Sequence, residues 1–520
     1  MTSKPKQPKT SRVTAKKDRT TRRRSSDTTS TESDYPILRK RMRGRELPST
    51  ITDLEELLAL LGDAEFQQLC LSLAPADVPQ VGRPPKHHPA VHMVAAYARL
   101  LQHSERHGHR WLFDHWPRVH SEMFRTFGKA VIPKELDPPT RSATRRFFAR
   151  SVQDNEDYFE SMRSLAANAA RSLGLGTGDG SLSNPVRTST IFGDGAVYRA
   201  RSSFTKEDKV IDPETGEIKS RRFDPDADTY VQGDETRIHG LKTAAFSIAS
   251  DHPGERVLLD FDVDAGSNEA AAAMRIFERV ADEFGDGIKA VTYDMAFAGK
   301  HIDQIYRRGI MPVIGVPLQE GGKLRNQSVG VHTLNLNAPH NGTLKEDVQF
   351  WAINGRPHIQ VVAGSELLYE PLDLTRISRR EIAFREYLVR AEFEVPNSAP
   401  FPKHQRGAKV LIRLNTTPEE RKAASDSSFK NSAKRRSTAP KPHALRAHSE
   451  GDPNWASLTG IRQDSEALNA WNKDQQGPHR RSAVYGNARL RVWLSLSQLR
   501  SAIRSKLVRK RREAAEAAKR

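Results

Sequence analysis

The stretch Ile288 to Gly299, IKAVTYDMAFAG, carries the fold prediction for this chain. It predicts a short apolar strand, Ile288 to Tyr293, followed at once by Asp294 and by small residues that lead into a helical pattern. Ligands gather where parallel strands end, so a carboxylate at this position is well placed for a functional site. A strand-end aspartate taken alone more often caps a helix or closes a turn.

A second aspartate has a similar setting about 100 residues earlier. Asp194 lies in IFGDGAVYRA, Ile191 to Ala200, a short apolar run with a glycine on each side of the carboxylate. Two such carboxylates indicate a metal site, and Mg²⁺ is the ion that hard oxygen ligands favour.

Composition limits the class of protein. At 520 residues the chain is long enough for two or three domains. Cys70 is the single cysteine, which excludes an intrachain disulfide and a cysteine-based zinc site and fits a reducing compartment. No apolar run reaches the roughly 18 residues of a membrane span, and the N-terminus lacks a signal-peptide core. We therefore expect a cytoplasmic protein without a membrane partner.

The net charge of +19 is concentrated at the two ends of the chain. Residues 1–45 hold 15 Lys/Arg against 4 Asp/Glu, and residues 501–520 hold 8 against 2. Basic ends of this size are typical of polyanion binding, in which released counterions make the affinity fall with salt. Solubilising tails are an equally good interpretation of either end alone.

Two features of the N-terminal half bear on nucleic-acid binding. A proline-rich turn at 137–140 precedes a predicted helix with an arginine face: Arg141, Arg145, Arg146 and Arg150. Such a face fits a groove-reading helix, and a solvated basic surface explains it equally well. The eight histidines between His87 and His120 are predicted to be surface or DNA-facing residues and not metal ligands.

The periodicity changes to strand-like after the Gly/Ser-rich residues 172–187. The predicted elements are strands at 188–199, 239–249 and 256–264, a helix at 268–284, the strand 288–293, a helix at 301–308 and a strand at 312–316. In the third strand, Leu258, Asp260, Asp262 and Asp264 lie on the side opposite the apolar residues, so the acids are expected to face solvent, with metal binding as the lesser alternative. If the first three strands form an antiparallel meander and the helix is a crossover, the strands of Asp194 and Asp294 run parallel and bring both carboxylates together.

The chain resembles a known family in this strand order and in the amino-acid sequence of several segments. The segments that carry the resemblance are IFGDGAVYRA, RRFDPDADTY, IHGLKTAAFSIAS, IKAVTYDMAFAGKHID and DSEALNAWNKDQQGPHRRSAVYGNARLRVWLSLSQL. They are similar to bacterial insertion-sequence transposases of the DDE type, whose catalytic core is ribonuclease H-like. The resemblance implies catalytic, metal-binding carboxylates at Asp194 and Asp294, Mg²⁺ as the cofactor with Mn²⁺ as a substitute, double-stranded DNA as the partner, a homodimer on DNA and association with the bacterial nucleoid.

The third acid of the site is predicted at Glu466. Asp464-Ser465-Glu466 opens a helical run, and the resemblance places the last acid on a helix beside the first strand. Favourable placement of an acid near a helix N-terminus is the alternative interpretation, and Glu366 and Glu381 are rivals. Arg480 and Arg481, in the segment that follows, match the family's continuation and are predicted to contact DNA.

These observations predict an α/β protein with a ribonuclease H-like mixed sheet, flanking helices, an N-terminal helical domain and a β-rich insertion. The expected limits are a disordered basic tail 1–45, a helical DNA-binding domain 46–171, a linker 172–187, the core at 188–317 and 458–505, an insertion 318–457 and a basic tail 506–520. The expected activity is metal-dependent cleavage at transposon ends and 3′-hydroxyl strand transfer. A DNA-binding protein derived from a transposase and a metal-dependent nuclease without strand transfer stay open as alternatives.

Overall fold

The computed structural model describes most of the chain from residue 51 onward. The described residues are 51–73, 86–211, 214–231, 236–263, 268–294, 296–297, 299–316, 326–337, 343–363, 365–398, 401–425, 444–452, 455–474, 482 and 484–520. All of them belong to the unit Pro48–Arg520. The predicted tail 1–45 and the predicted DNA contacts Arg480 and Arg481 lie outside the described residues.

Helices form the first part of the described chain. They are α1 (Asp53–Leu61), α2 (Ala64–Ser72), α3 (Pro89–Leu101), α4 (Glu105–Phe127), α5 (Arg141–Ser151) and α6 (Glu156–Ser172). Each begins after a polar residue whose side chain accepts a backbone N–H of the first turn, as Thr140 does for α5. Helix α3 is buried along most of its length, because Tyr97 and its apolar neighbours pack against the surrounding helices.

A six-stranded mixed sheet follows the helices. The strands in this part of the chain are β1 (Thr190–Arg199), β2 (Lys209–Ile211), β3 (Ile218–Ser220), β4 (Asp228–Val231), β5 (Arg237–Ala249), β6 (Arg256–Val263), β7 (Ala290–Thr292) and β8 (Met311–Val313). The sheet has the order β4-β5-β1-β7-β8, with β6 also paired to β5, while β2 and β3 pair only with each other in the described residues. Strands β1, β5 and β6 form antiparallel pairs, whereas β7 lies parallel to β1 and β8 lies parallel to β7. The predicted antiparallel meander and parallel return are therefore confirmed.

Two helices make the parallel connections. Helix α7 (Glu269–Phe284) joins β6 to β7, and α8 (Gly299–Arg307) joins β7 to β8. The predicted apolar face of α7 is confirmed, because Ala272, Ile276 and Val280 are all buried. Parallel neighbours require a crossover of this kind, which places helices over the sheet.

A second, seven-stranded sheet forms the next part of the chain. Its strands are β9 (Asn326–Asn337), β10 (Thr343–Ile353), β11 (Arg356–Ala363), β12 (Glu366–Pro371), β13 (Asp373–Ala383), β14 (Glu386–Glu394) and β15 (Lys409–Arg413), in the order β12-β11-β10-β9-β15-β14-β13. Every pair in this sheet is antiparallel. The predicted β-rich character of this region is confirmed.

Helices end the chain: α9 (Pro418–Ser425), α10 (Trp455–Gly460), α11 (Arg462–Asp474) and α12 (Asn487–Ala518). Helix α12 covers the free edge of β6. The backbone N–H of Leu258 donates to Ser501 Oγ at 2.9 Å, and that of Arg256 donates to Ser505 Oγ at 3.0 Å. Serine hydroxyls thus replace the missing neighbour strand and satisfy an edge that would otherwise pair with another chain.

The expected solvent exposure of the β6 acids is wrong for Asp260, which is buried and accepts a hydrogen bond from Arg279 Nε of α7 at 2.6 Å. Leu258 on the same side is also buried, and Asp264 lies outside the described residues. Asp262 is half-buried and bound by Arg275 at 2.8 Å. Helices α7 and α12 cover β6, so its alternating acids lie beneath arginines of α7 instead of facing water.

A buried charge cluster joins the first described helix to the last. The carboxylate of Glu56 on α1 is fully buried and accepts hydrogen bonds from Tyr97 Oη at 2.9 Å and Arg500 Nε at 2.8 Å. Arg504 Nη1 donates to the second carboxylate oxygen at 3.0 Å. These contacts cross the predicted limits between 46–171 and 458–505, and the limits themselves stay predictions. Of the helices described, none combines the length and apolar character needed to cross a membrane.

Candidate active site

The two predicted aspartates occupy equivalent positions on neighbouring parallel strands. Strands β1 and β7 pair from Thr190 with Ala290 to Phe192 with Thr292. Two residues further along each strand direction come Asp194, still within β1, and Asp294, just after the end of β7. Both are half-buried. Because side chains alternate along extended backbone, this spacing directs both carboxylates to one face of the sheet.

Each aspartate is held by a neighbour. Asn469 Nδ2 of α11 donates to Asp194 Oδ2 at 3.0 Å. The backbone N–H of Ala296 donates to Asp294 Oδ1 at 2.9 Å, which closes a turn directly after β7. The turn-closing role considered for Asp294 is therefore present, and it also fixes the orientation of this carboxylate beside the strand end.

Sequence reasoning missed a third carboxylate near this strand. Glu269, the first residue of α7, lies against Gly195, where a Cβ atom would stand 2.2 Å from Glu269 Oε1. Lys242 Nζ of β5 pairs with Glu269 Oε2 at 3.0 Å. Since Gly195 alternates with Asp194, Glu269 lies on the opposite face of the sheet from the predicted ligands. The glycine after Asp194 was the available signal, because it marks the close approach of another element.

The phenol of Tyr293 interacts with carboxylates on both faces of the sheet. Its hydroxyl donates to Glu269 Oε1 at 3.0 Å, and its ring stacks on Phe297 with centroids 4.3 Å apart. Burial raises the pKa of the Tyr293 phenol, and the carboxylates of Glu269, Asp294 and Asp194 raise it further. The phenol is thus held neutral within the field of three acids.

The predicted third ligand, Glu466, lies on the helix that touches Asp194. Helix α11 packs Leu468 into the core, and Asn469 of the same helix is the residue that contacts Asp194. Glu466 is exposed and precedes Asn469 by about one helical turn. Asp464 has a structural role, since Arg256 Nη2 donates to it at 2.6 Å and Arg187 also binds it. Both rivals, Glu366 on β12 and Glu381 on β13, belong to the seven-stranded sheet.

The fit to a divalent cation is partial. Asp194 and Asp294 supply the hard oxygen donors that Mg²⁺ favours, on one face of the sheet and beside a helix that carries a further acid. Within the described ranges no cluster of three or more His, Cys, Asp or Glu side chains is arranged to hold a metal ion.

Four of the six predicted DNA-binding arginines lie on α5, a helix without buried residues, and all four are exposed: Arg141, Arg145, Arg146 and Arg150. Arg145 is engaged within the protein, because its Nε donates to Glu105 Oε1 of α4 at 2.6 Å. The remaining three present their charge to solvent on the same helix.

The surface assignment of the histidines is wrong for His92. This side chain is buried and stacks on Phe147 of α5 with ring centroids 4.8 Å apart. Burial lowers the pKa of His92 to about 4, with smaller contributions from His87 and His88. His92 therefore belongs to the packing between α3 and α5 and does not face DNA.

Comparison with models of known protein families found no match, and comparison with curated proteins found no significant match either. The functional interpretation of the site consequently depends on its residues and their geometry.

Proposed function

We propose that the protein is a DDE transposase that cleaves DNA at transposon ends and joins the freed 3′-hydroxyl to target DNA. Asp194, Asp294 and Glu466 are the proposed catalytic carboxylates and ligands of Mg²⁺. The observation that carries the proposal is the parallel pairing of β1 and β7, which places the two aspartates at equivalent positions on one face.

The topology of the six-stranded sheet supports a ribonuclease H-like core. Strands β6, β5 and β1 follow one another as antiparallel neighbours, and β7 and β8 then add in parallel through helices. This is the order that the resemblance to transposases led us to expect. Helix α11, which contributes Glu466, packs beside β1, the position expected for the last acid.

The surroundings of the aspartates suit metal-dependent phosphodiester chemistry. When bound, Mg²⁺ ions lower the pKa of an attacking hydroxyl and stabilise the leaving oxygen. Asn469 and the Ala296 N–H fix the orientation of Asp194 and Asp294, so both carboxylates stay in place before a metal arrives. The exposed arginines of α5 and the basic chain ends provide the charge for binding double-stranded DNA, on which we propose that a homodimer assembles.

Matched charge-removing variants test the proposal. Asp194→Asn, Asp294→Asn and Glu466→Gln are each expected to reduce Mg²⁺-dependent strand cleavage by at least about 100-fold while DNA binding is retained, because each keeps its shape and loses the charge that ions need. Cleavage of a labelled end-sequence duplex and gel retardation measure the two properties. Asp157→Asn, at an exposed residue of α6, is the control and is expected to cleave normally.

The outcomes separate the alternatives. Normal cleavage by Asp194→Asn or Asp294→Asn would contradict the proposed site, and loss in Glu366→Gln or Glu381→Gln with full activity in Glu466→Gln would reassign the third acid. Cleavage without joining to a target plasmid would identify a nuclease. Binding of DNA without any metal-dependent cleavage would identify a DNA-binding protein.

A further inference from the structure

A cavity that neither Asp194 nor Asp294 lines contains six arginines among apolar, aromatic and polar lining residues. It lies among α3, α4, α5, the residues that follow β1 and the start of α12, and its volume is about 350 Å³. Its arginines are Arg99, Arg141, Arg145, Arg201, Arg222 and Arg489. We call it the arginine pocket.

Aromatic rings hold three of these arginines in place. The guanidinium carbons of Arg222 and Arg201 lie 4.6 and 5.3 Å from the centre of the Tyr485 ring. The guanidinium of Arg99 lies 4.8 Å from the centre of the Trp493 ring. A guanidinium held over an aromatic ring by a cation–π interaction is restricted in position, so these three arginines are partly preorganised.

The lining of the arginine pocket contains few acids. Glu105 is the single acidic side chain among its described lining residues, and this carboxylate is bound by Arg145 Nε at 2.6 Å. Burial lowers the pKa of Arg99 to about 10, and the nearby charges of Arg145 and Arg201 act in the same direction against Glu105. The other five arginines of the pocket are exposed, and an anion bound among them would offset the repulsion between their like charges.

We propose that the arginine pocket binds a phosphate group. Its guanidinium groups come from five separate parts of the chain and approach the cavity from several sides, which suits a tetrahedral group with at least three acceptor oxygens. A carboxylate offers two acceptors in one plane and would leave most of these donors unused. The proposal does not depend on the transposase activity.

The surroundings indicate a phosphate that belongs to a larger anion. Arg201, Arg222 and Tyr485 also line an adjoining hollow with Arg221 and Ser202. The basic lining therefore continues beyond the arginine pocket, as a chain of phosphates would require.

Binding of defined phosphate probes to the full chain tests the proposal. Isothermal titration with inorganic phosphate and with pyrophosphate is expected to show saturable binding that weakens by about tenfold in Arg222→Ala and in Arg489→Ala. Both residues are exposed, so the variants are expected to fold, with unchanged melting temperatures as the check. Arg118→Ala, at an exposed arginine of α4 outside the pocket, is the charge-matched control and is expected to bind as the parent does.

Two further variants test the geometry. Arg222→Lys keeps the charge but loses the fork, and is expected to retain only part of the affinity. Tyr485→Leu keeps all arginines but removes the ring beneath two of them, and is expected to weaken pyrophosphate binding severalfold. Absence of saturable binding of either phosphate probe, or equal weakening in Arg222→Ala and Arg118→Ala, would overturn the proposal.

Short single-stranded oligonucleotides identify the source of the phosphate. Stronger binding of a 5′-phosphorylated oligonucleotide than of its 5′-hydroxyl form, lost in Arg222→Ala, would assign the pocket to a strand terminus. Equal binding of both forms with the same loss would assign it to internal phosphodiesters, and pocket-dependent binding of pyrophosphate alone would assign it to a free phosphate-bearing molecule. Asp294→Asn is expected to bind every probe normally, so this proposal and the proposed catalytic site fail independently.

Discussion

Single side chains in this protein are placed by elements distant in sequence. Asp194 owes its orientation to Asn469, and the close approach of Glu269 depends on the missing side chain of Gly195. His92, one of eight histidines in a short stretch, is the member of that group that the structure stacks against Phe147 in the core. These three contacts join residues that are far apart in the sequence.

His92 is expected to make stability depend on pH. The pKa of His92 in the folded chain, about 4, lies below its ordinary value of 6.5. Between these two pH values the unfolded chain therefore binds a proton at His92 and the folded chain does not. Stability is therefore full above pH 6.5 and is lost as pH falls toward 4. Between pH 7 and pH 5 the parent is expected to lose about 2 kcal/mol more of its free energy of unfolding than His92→Phe. Urea unfolding at both pH values measures the free energy of unfolding, and the exposed His107→Gln is the control, which should behave as the parent does. An equal loss between pH 7 and pH 5 in the parent and in His92→Phe would refute the prediction.

At the scale of elements, local pattern predicted β1, β5, β6, α7, β7, α8 and β8 in the observed order, but it missed β2, β3 and β4, which lie between the predicted strands 188–199 and 239–249. The alternation in β6 and the four-residue spacing of Ile276 and Val280 in α7 are encoded in nearby residues, so both could be predicted from the sequence. The burial of Asp260 could not be predicted from the sequence, because it depends on Arg279 and on α12, a helix that begins more than 200 residues later. The equivalent positions of Asp194 and Asp294 on neighbouring parallel strands were predictable from topology, whereas the contacts of Asn469 and Glu269 depend on helices packed from elsewhere in the chain.

The contact between β1 and α7 gives a prediction at this scale. Gly195→Ala would place a methyl group 2.2 Å from Glu269 Oε1, which forces the Glu269 carboxylate away from Lys242 and Tyr293 and costs about 2 kcal/mol of stability. Gly460→Ala, where the new methyl group meets nothing within 4 Å, is expected to change stability by less than about 0.5 kcal/mol. In the Glu269→Ala background the cost of Gly195→Ala is expected to fall by more than half, and full additivity would show that the contact is not responsible.

Across the whole molecule, the cluster around Glu56 ties the beginning of the described chain to its end. Glu56→Gln would leave Arg500 and Arg504 without their buried carboxylate and is expected to lower the free energy of unfolding by about 3 kcal/mol. Denaturant unfolding measures the loss, which should change little with salt because the cluster is buried. Glu160→Gln, at an exposed residue of α6, is expected to be nearly neutral; similar losses in both variants would mean that the cluster contributes nothing specific.

The covering of β6 by α12 also bears on how the protein is made. Ribosomes synthesise residues 256–263 long before Ser501 and Ser505, so a nascent chain carries an open strand edge for more than 200 residues of elongation. Until the last helix emerges, that edge is a template for pairing with other chains, and the carboxylate of Glu56 has no arginine to meet it. Synthesis that stops before α12 would therefore release a product prone to aggregation. The edge of β6 and the carboxylate of Glu56 gain their partners only once α12 has been synthesised.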